Sequence, residues 1–388
     1  MQYPQLSRHN LVRGMKTLRE KVTRGPVVAS RNLPAAATTD EGDPRASDES
    51  ARTSRSDRRS CRPTRVKSDP RSSIVATLLD SMLVKVTALA GGVGGAKLLV
   101  GLDRVVGADL TAIVNTGDDA RLYGVHVSPD VDIVTYWLSG LADTDRGWGL
   151  RGDSFEVVEG LKRLGHDSWF RLGDRDMATC MYRTERLARN ESLSTITDVI
   201  RRALGARPTI LPMSDDRVAT MLRTSDGRVL DFQEYFVKER TEPEVVEVEF
   251  DGIDVAGPGP AVLDRIVAAD VVVLCPSNPI VSIGPIVGLH GVRATLRDHP
   301  HVVAVSPIVR GAALKGPADR LLRSLGAQAS ASGVAEMYAD FCDVFVVDAS
   351  DEEELAKVEA TGMRAAAIDT IMKDHDSSER LARSLVAL

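Results

Sequence analysis

Four aspartates lie close together in the sequence, in two pairs that follow a short run of apolar residues. The run is Leu110–Val114, and the pairs are Asp118 with Asp119 and Asp130 with Asp132. If the run is a strand of an open α/β sheet, the carboxylates lie near its carboxyl end, where such sheets bind ligands. Aspartates at strand ends also accept hydrogen bonds from local N–H groups. Because Mg²⁺ prefers oxygen ligands, two pairs this close favour a Mg²⁺ site that neutralises phosphate oxygens.

A glycine-rich segment, residues 91–97 (GGVGGAK), lies between a predicted strand at 84–90 and a predicted helix at 96–106. Glycines allow a ligand to approach the backbone, and the free N–H groups at a helix start attract phosphate. The segment lacks the Lys-Ser/Thr ending of a Walker A loop. Lys97 also stands where a dinucleotide fingerprint needs its third glycine or alanine. A tight packing turn is the alternative interpretation.

A second loop, residues 275–284 (CPSNPIVSIG), directly follows another apolar run. Two prolines and the adjacent Ser277 and Asn278 predict a rigid loop whose polar groups face a ligand. A strand-end turn alone would also explain this composition.

The segment 314–319 (LKGPAD) places Lys315 close to Asp319. A carboxylate there can accept hydrogen bonds from two N–H groups of a guanine. The alternative is structural, with Pro317 at the first position of a helix and Asp319 in its first turn.

Short buried-type strands alternate with helical segments, which predicts an α/β fold: a Rossmann-like, doubly wound, mostly parallel sheet. We expect an inserted α+β subdomain at 148–255, between core segments 84–147 and 256–388. Its helices are predicted at 154–164 and 193–204, and its strands at 218–222, 228–233 and 244–250. The later core strands are predicted at 270–274, 301–305, 344–347 and 365–368.

The composition is that of a globular enzyme, with 43% hydrophobic and 27% charged residues and no apolar run long enough to span a bilayer. Four scattered cysteines without a CxxC pair favour a cytoplasmic location. The net charge of −6 is unevenly distributed, because residues 1–81 are basic and the remainder is strongly acidic. An acidic enzyme that handles phosphates needs local cations or a bound metal.

Residues 1–81 lack a sustained apolar period and are predicted to be a disordered leader. One hypothesis is that they are a translated upstream region, with the true start at Met82 directly before the first strand. The others are a solvated tail and a targeting or nucleic-acid-binding arm.

The order of the motifs from residue 84 to at least 319 resembles the 2-phospho-lactate transferase family of coenzyme F420 biosynthesis. The resemblance rests on segments 91–97, 115–119, 129–132, 172–184, 213–217, 232–237, 277–284 and 314–319. It implies a transferase that moves a 2-phospho-lactyl or enolpyruvyl phosphate from a guanosine diphospho-acid to the ribityl hydroxyl of the deazaflavin FO. The resemblance also implies that GMP is released with the help of Mg²⁺. Two residues depart from the family pattern, Cys180 in place of His and Ile133 in place of Thr.

The resemblance also implies roles for individual residues. Asp118 and Asp132 are the expected catalytic metal ligands, supported by Asp119 and Asp130, and one aspartate accepts the proton of the attacking hydroxyl. The expected nucleotide-binding residues are Gly92, Val93, Gly94, Gly95, Lys97, Ser277, Asn278, Lys315 and Asp319. The expected residues of the FO pocket are Asp174, Asp176, Arg183, Phe232, Glu234 and Tyr235.

We expect a homodimer without nucleic-acid or membrane partners. Two other functions compete with the transferase: a non-catalytic nucleotide-sugar-binding regulator of the same superfamily, and an NAD-dependent dehydrogenase. The acidic clusters at 172–217 favour the transferase over the first, and the missing third glycine argues against the second.

Overall fold

The computed structural model describes residues 84–388. The predictions for residues 1–81 and for a start at Met82 lie outside the described residues. Within the described range, no helix is both long and apolar enough to cross a membrane.

Fourteen strands are found among the described residues. They are β1 (Val86–Ala90), β2 (Leu110–Val114), β3 (Ala120–Leu122), β4 (Val125–Val127), β5 (Thr209–Pro212), β6 (Ala219–Thr224), β7 (Val229–Asp231), β8 (Val245–Asp251), β9 (Val271–Leu274), β10 (Val302–Val305), β11 (Ile308–Val309), β12 (Ala312–Ala313), β13 (Val344–Asp348) and β14 (Arg364–Ile368).

Twelve α-helices accompany these strands in the described part of the chain. They are α1 (Gly92–Val106), α2 (Pro129–Leu138), α3 (Glu156–Arg163), α4 (Asp174–Leu187), α5 (Leu193–Leu204), α6 (Val262–Val267), α7 (Ile283–Gly288), α8 (Val292–Asp298), α9 (Ala318–Ser324), α10 (Ala331–Tyr338), α11 (Leu355–Glu359) and α12 (His375–Val386). Short 3₁₀ segments occur at Gly107–Asp109 and Ala349–Glu354, and a π-helical turn at Glu234–Lys238.

Seven strands form the central sheet in the order β14-β13-β10-β9-β1-β2-β5, and all neighbours are parallel. The chain builds the sheet in one direction from β1 to β2 and β5. It then returns to the other side of β1 and continues from β9 to β14. This reversal places the topological switch point beside β1, where doubly wound sheets form a crevice for ligands. The predicted fold class is confirmed.

The central strands are apolar on both faces because helices cover both sides of the sheet. In β1, Val86, Ala88 and Ala90 pack into a core that contains residues of α1, α2 and α12. Leu89 points the other way, into a core built with residues of α6 to α11. The alternating side chains of one strand therefore contribute to two separate helical layers.

The middle segment is less separate than predicted. Its strands β6, β7 and β8 form an antiparallel sheet of their own, but β5 pairs in parallel with β2 at the edge of the central sheet. Leu222 of β6 also lies in the same apolar core as Leu89 of β1. The 148–255 segment thus contributes a strand and core residues to the central body, in addition to the predicted α+β layer.

Candidate active site

The acidic cluster forms at the carboxyl end of β2, where the turn at 115–119 meets the first turn of α2. Pro129 occupies the start of α2, which places Asp130 in the first turn of that helix. The Asp130 carboxylate accepts hydrogen bonds from Gly92 N at 2.8 Å and Asn115 Nδ2 at 3.0 Å. Asp130 therefore joins the acidic turn to the glycine segment, as expected for parallel strands that end at one edge of a sheet.

Several buried polar atoms around this turn have no hydrogen-bond partner within residues 84–388. They are Thr116 Oγ1, Asp118 Oδ1, Asp119 Oδ1, Thr220 Oγ1 and Asn278 Nδ2. Thr220 N donates to Gly117 O at 2.7 Å, so β6 lies directly against the acidic turn. Buried polar groups in folded proteins are nearly always paired, so a cluster of unpaired ones indicates a place for a ligand or an ion.

Burial raises the pKa of Asp118 well above its usual value, and the neighbouring Asp130 raises it further. Burial also raises the pKa of Asp130 to about 6, against the hydrogen bonds from Asn115 and Gly92. Burial and the neighbouring negative charges both disfavour the charged forms of these carboxylates. A bound divalent cation would favour the charged forms of both carboxylates, and Asp118 and Asp119 each have an unpaired carboxylate oxygen within residues 84–388 that is available to one. Among the described residues, the ligand atoms of Asp132, Asp176 and Cys180 are the ones that all lie within 4.8 Å of one another.

Asp119 is oriented by two side chains of the following segment. Its Oδ2 lies 2.9 Å from His126 Nε2 and accepts a hydrogen bond from Ser128 Oγ at 2.7 Å. Both partners bind the same oxygen, which leaves Asp119 Oδ1 unpaired among the described residues.

The glycine segment needs its glycines because other chain segments approach its backbone closely. A Cβ at Gly91 would lie 2.5 Å from Asp130 Oδ2, and one at Gly94 would lie 2.6 Å from Pro276 O. Gly92 has a φ of +65°, which disfavours other residues. The packing-turn interpretation thus accounts for part of the segment. The segment also begins α1 at the switch point, and the first amides of a helix lack intrahelical partners.

The second predicted loop packs against this turn. Ser277 Oγ accepts from Gly91 N at 3.1 Å and donates to Gly91 O at 2.7 Å. Asn278 Oδ1 accepts from Ile280 N at 3.0 Å, while its Nδ2 is unpaired within residues 84–388. Ser277 therefore joins the 275–284 loop to the glycine segment. Asn278 Nδ2 remains available to donate a hydrogen bond to a ligand.

Two lysines that the sequence predicts to bind the nucleotide, Lys97 and Lys315, lie near each other. Lys97 Nζ donates to Met372 O at 3.0 Å, in the loop after β14. Lys315 Nζ donates to Arg146 O at 3.5 Å, and a Cβ at Gly147 would lie 2.7 Å from it. Burial lowers the pKa of Lys97, and the positive charge of Lys315 lowers it further. The structure thus brings together two cations that are far apart in sequence.

The match to known proteins covers nearly all of the described chain. A family model described as 2-phospho-L-lactate transferase CofD matches residues 86–385. A phosphoenolpyruvate transferase from Kitasatospora aureofaciens is 40% identical over 313 residues, which cover 79% of this chain and 98% of that relative. A 2-phospho-L-lactate transferase from Methanocaldococcus jannaschii is 40% identical over 309 residues, with the same coverage of both chains.

The chain belongs to the 2-phospho-L-lactate transferase family. The predicted transferase role in coenzyme F420 biosynthesis is confirmed. A crystal structure of a UPF0052-family protein from Bacillus halodurans has a TM-score of 0.53 and 16% identity. It covers 78% of this chain and 98% of its own, and this likeness shows the fold alone.

Asp132 of this transferase family member forms a buried ion pair. Its two carboxylate oxygens accept from Arg183 Nη1, at 3.0 Å, and from Arg183 Nη2. Arg183 is fully buried, and although burial opposes it, Asp132 raises the pKa of the guanidinium. The sequence did not predict that these two residues pair with each other. The carboxylate expected to bind metal already has a cation, and the arginine expected in the FO pocket has no exposed surface.

Helix α4 makes further hydrogen bonds to β4 and α2, and α2 carries Asp130 and Asp132 in its first turn. Arg183 Nη1 donates to His126 O at 3.2 Å, and His126 N donates to Thr184 Oγ1 at 2.7 Å. Tyr136 of α2 donates to Asp176 Oδ1 at 2.7 Å. Burial raises the pKa of Asp176 to about 7, and Asp132 raises it as well. Asp176 and Arg183 therefore fix α2 and β4 relative to each other.

Two other predicted site residues have local structural partners. Asp174 accepts from Glu156 N and Val157 N, both at 3.0 Å, so it caps the start of α3 rather than facing the cleft. Asp319 lies in the first turn of α9 and pairs with Arg323 at 2.7 Å. In this structure Asp319 therefore has the structural role expected of an acidic residue at a helix start.

The predicted aromatic segment at 232–235 is mostly buried. Phe232 and Tyr235 are 8% and 1% exposed, and Glu234 begins the π-helical turn with its N–H donating to Asp231 Oδ1 at 2.8 Å. The sequence analysis did not single out Asn115, Thr220 or Asp231 as site residues. Asn115 belongs to the motif at 115–119, but nothing in the sequence marks the other two, because β6 and β7 reach the acidic turn only through tertiary packing.

Proposed function

We propose that this chain transfers a phospho-acid, 2-phospho-lactyl or enolpyruvyl phosphate, from a guanosine diphospho-acid to the terminal ribityl hydroxyl of FO and releases GMP. The observation that carries the proposal is the set of unpaired buried carboxylate oxygens on Asp118 and Asp119, next to the glycine segment at the switch point. Such an arrangement would combine a cation site with a phosphate site, as a phosphate-transfer reaction requires.

Asp118, Asp119 and Asp130 are the proposed holders of Mg²⁺, which when bound offsets the negative charge on the phosphate oxygens. Asp132 is proposed to position the metal ligands and not to bind the metal itself. Its ion pair with Arg183 holds the first turn of α2, and that turn carries Asp130. The metal assignment therefore keeps three of the four predicted aspartates and gives the fourth a positioning role.

The donor is proposed to lie across the glycine segment. Its diphosphate would meet the amides of Val93, Gly94 and Gly95, with Lys97 and Lys315 supplying positive charge. Asn278 has the free donor for a ribose or phosphate oxygen. The reaction needs alignment and charge neutralisation more than covalent catalysis.

The attacking FO hydroxyl must lose a proton as its oxygen bonds to the phosphorus that carries the acid. Asp118 is the proposed acceptor, because its Oδ1 has no hydrogen-bond partner within the described residues. The bond from that phosphorus to the GMP oxygen breaks, and GMP leaves with the electron pair.

The direct test is to incubate the protein with FO, Mg²⁺ and each candidate donor, the lactyl, enolpyruvyl or glyceryl diphosphate of guanosine. Mass spectrometry of the product identifies the acid transferred. Asp254→Asn, at an exposed site on the loop after β8, serves as the matched control for aspartate substitutions. Failure to convert FO with any donor in the presence of Mg²⁺ would overturn the proposal.

Two further properties are proposed on sequence grounds: a cytoplasmic location and a homodimer. The cysteines within residues 84–388 are all unpaired and buried, which agrees with a reducing compartment. Light scattering on the purified protein measures the oligomeric state.

A further inference from the structure

The segment at 232–238 contains three aromatic residues with very different exposure. Phe232 and Tyr235 are 8% and 1% exposed, whereas Phe236 is 40% exposed. A buried ring cannot offer its face to a substrate. Of the three, only Phe236 can therefore contact a ligand directly, although the sequence gives no reason to prefer it.

Phe236 is held in a fixed orientation. Its ring stacks on Phe232 with a centroid distance of 5.5 Å and an angle of 9° between the planes. One face of Phe236 is thus covered by a buried ring, and its exposed surface lies elsewhere on the ring. A flat aromatic surface held in place in this way loses little conformational entropy when it binds a planar partner.

The backbone that carries Phe236 is an uncommon one. Glu234–Lys238 forms a π-helical turn, closed by Glu239 N donating to Glu234 O at 2.8 Å. Thr241 N also donates to Tyr235 O at 2.9 Å. Short π-helical turns are rare and occur frequently at functional sites.

The neighbours of this turn connect it to the active site. Asp231, at the end of β7, pairs with Met221 of β6, and the adjacent Thr220 N donates to Gly117 O of the acidic turn at 2.7 Å. On the other side, Lys238 pairs with Asp167 at 3.0 Å and lies 5.7 Å from the centre of the Trp169 ring. Phe236 therefore lies on a segment that runs from the acidic cluster to a second aromatic residue.

We propose that the exposed face of Phe236 is the platform on which the deazaflavin ring of the acceptor stacks. The inference rests on the proposed function, because the planar ring belongs to the proposed acceptor. Stacking there would hold the ring near one wall of the cleft and direct the flexible ribityl chain towards Asp118. Phe232 and Tyr235 support the platform from within the core.

The test compares Phe236→Leu, which keeps an apolar side chain but removes the aromatic face, with Phe236→Trp, which retains one. Val229→Ala is the matched control, since Val229 is also exposed and belongs to the adjacent β7. We expect the leucine variant to raise the KM for FO about tenfold, as loss of one aromatic stacking partner typically does. Its kcat and its KM for the donor should stay unchanged, and the tryptophan and control variants should match the wild type.

Equilibrium titration with FO alone, without donor or metal, separates this inference from the proposed function. If the wild-type protein binds FO and Phe236→Leu binds it equally well, the platform is wrong even when transfer is normal. If the wild type binds FO but transfers nothing, and Phe236→Leu loses FO binding, the stacking proposal is supported and the proposed transfer reaction is contradicted. A leucine variant with normal FO binding and an altered oligomeric state would show that Phe236 contacts a second copy of the chain instead.

Discussion

At the scale of single residues, Asp118 combines a functional and a structural consequence of burial. Its carboxyl is buried beside Asp130, and one of its oxygens has no partner within residues 84–388. Burying an unpaired polar group destabilises the fold unless a ligand satisfies it. We therefore expect Asp118 to lower the free energy of unfolding when no ligand is bound, and to be required for activity.

We therefore expect Asp118→Asn to reduce transfer by at least about 100-fold, because losing one of few metal contacts costs several kcal/mol of transition-state stabilisation. The same change should raise the melting temperature in EDTA, since it removes a buried charge next to Asp130. Turnover at saturating and limiting Mg²⁺ and thermal unfolding measure the two effects. Near wild-type turnover at limiting Mg²⁺ would rule out a metal role for Asp118.

Asp319 shows how an apparent recognition residue can have a purely structural partner. Its carboxylate pairs with Arg323 one helical turn away, so it would have to share or release that contact to accept hydrogen bonds from guanine. Exposed pairs of this type contribute little to stability, so release is feasible.

Asp319→Asn distinguishes the two roles. If the carboxylate reads guanine, the amide places a donor opposite a ring N–H, and an unsatisfied contact of this kind costs about 1–3 kcal/mol. GMP binding should then weaken roughly tenfold or more, measured by calorimetry with AMP as the comparison nucleotide. Unchanged GMP affinity would mean that Asp319 serves only the start of α9 and that another residue recognises the base.

At the scale of elements, the strands after residue 84 were predictable because a parallel sheet buried on both faces requires continuous apolar runs. β5 was missed for a physical reason. It has only four residues, ends in Pro212 and alternates in burial, so it resembles a loop more than a core strand. The sequence also could not reveal that Phe236 rather than Tyr235 faces solvent, because a π-helical turn does not follow the usual helical period.

The link between α4 and α2 is the element-scale feature that the sequence could not supply. Asp132 and Arg183 are 51 residues apart, and only the fold brings them together. Because these two residues are buried and far apart in sequence, the sequence analysis assigned both to ligand binding and not to an ion pair with each other.

Arg183→Met should be strongly destabilising, by about 3–5 kcal/mol, because it leaves the buried Asp132 carboxylate without its partner. Adding Asp132→Asn to that variant should recover part of the loss, since the uncompensated charge is gone. Urea unfolding of the wild type, both single variants and the double variant gives the coupling between the two sites. Additive effects of the two substitutions would contradict the proposed positioning role of the pair.

At the scale of the whole molecule, charge is arranged about the switch point of the sheet. The acidic turn follows β2 on one side of β1. Lys97, within the glycine segment, donates to Met372 O in the loop after β14, and Lys315 lies in the loop after β12. An acidic protein thus places its local cations where the donor phosphates are proposed to lie. The composition predicted the need for such cations, and the sequence motifs named Lys97 and Lys315, but only the fold shows that the two lysines lie near each other.

Residues 1–81 carry a net positive charge, but the lysines proposed to meet the donor phosphates, Lys97 and Lys315, lie outside them. Both the family match and β1 begin at Val86, and the described strands of the central sheet, its two cores and the candidate site are formed by residues within 84–388. We therefore expect a protein expressed from Met82 to keep the melting temperature, the KM for FO and the kcat of the full chain. Because the leader is basic, the full chain should differ mainly in its non-specific affinity for polyanions, which falls with salt. A shortened protein that is insoluble, less stable or slower in transfer would show that residues 1–81 contribute to the fold or the site.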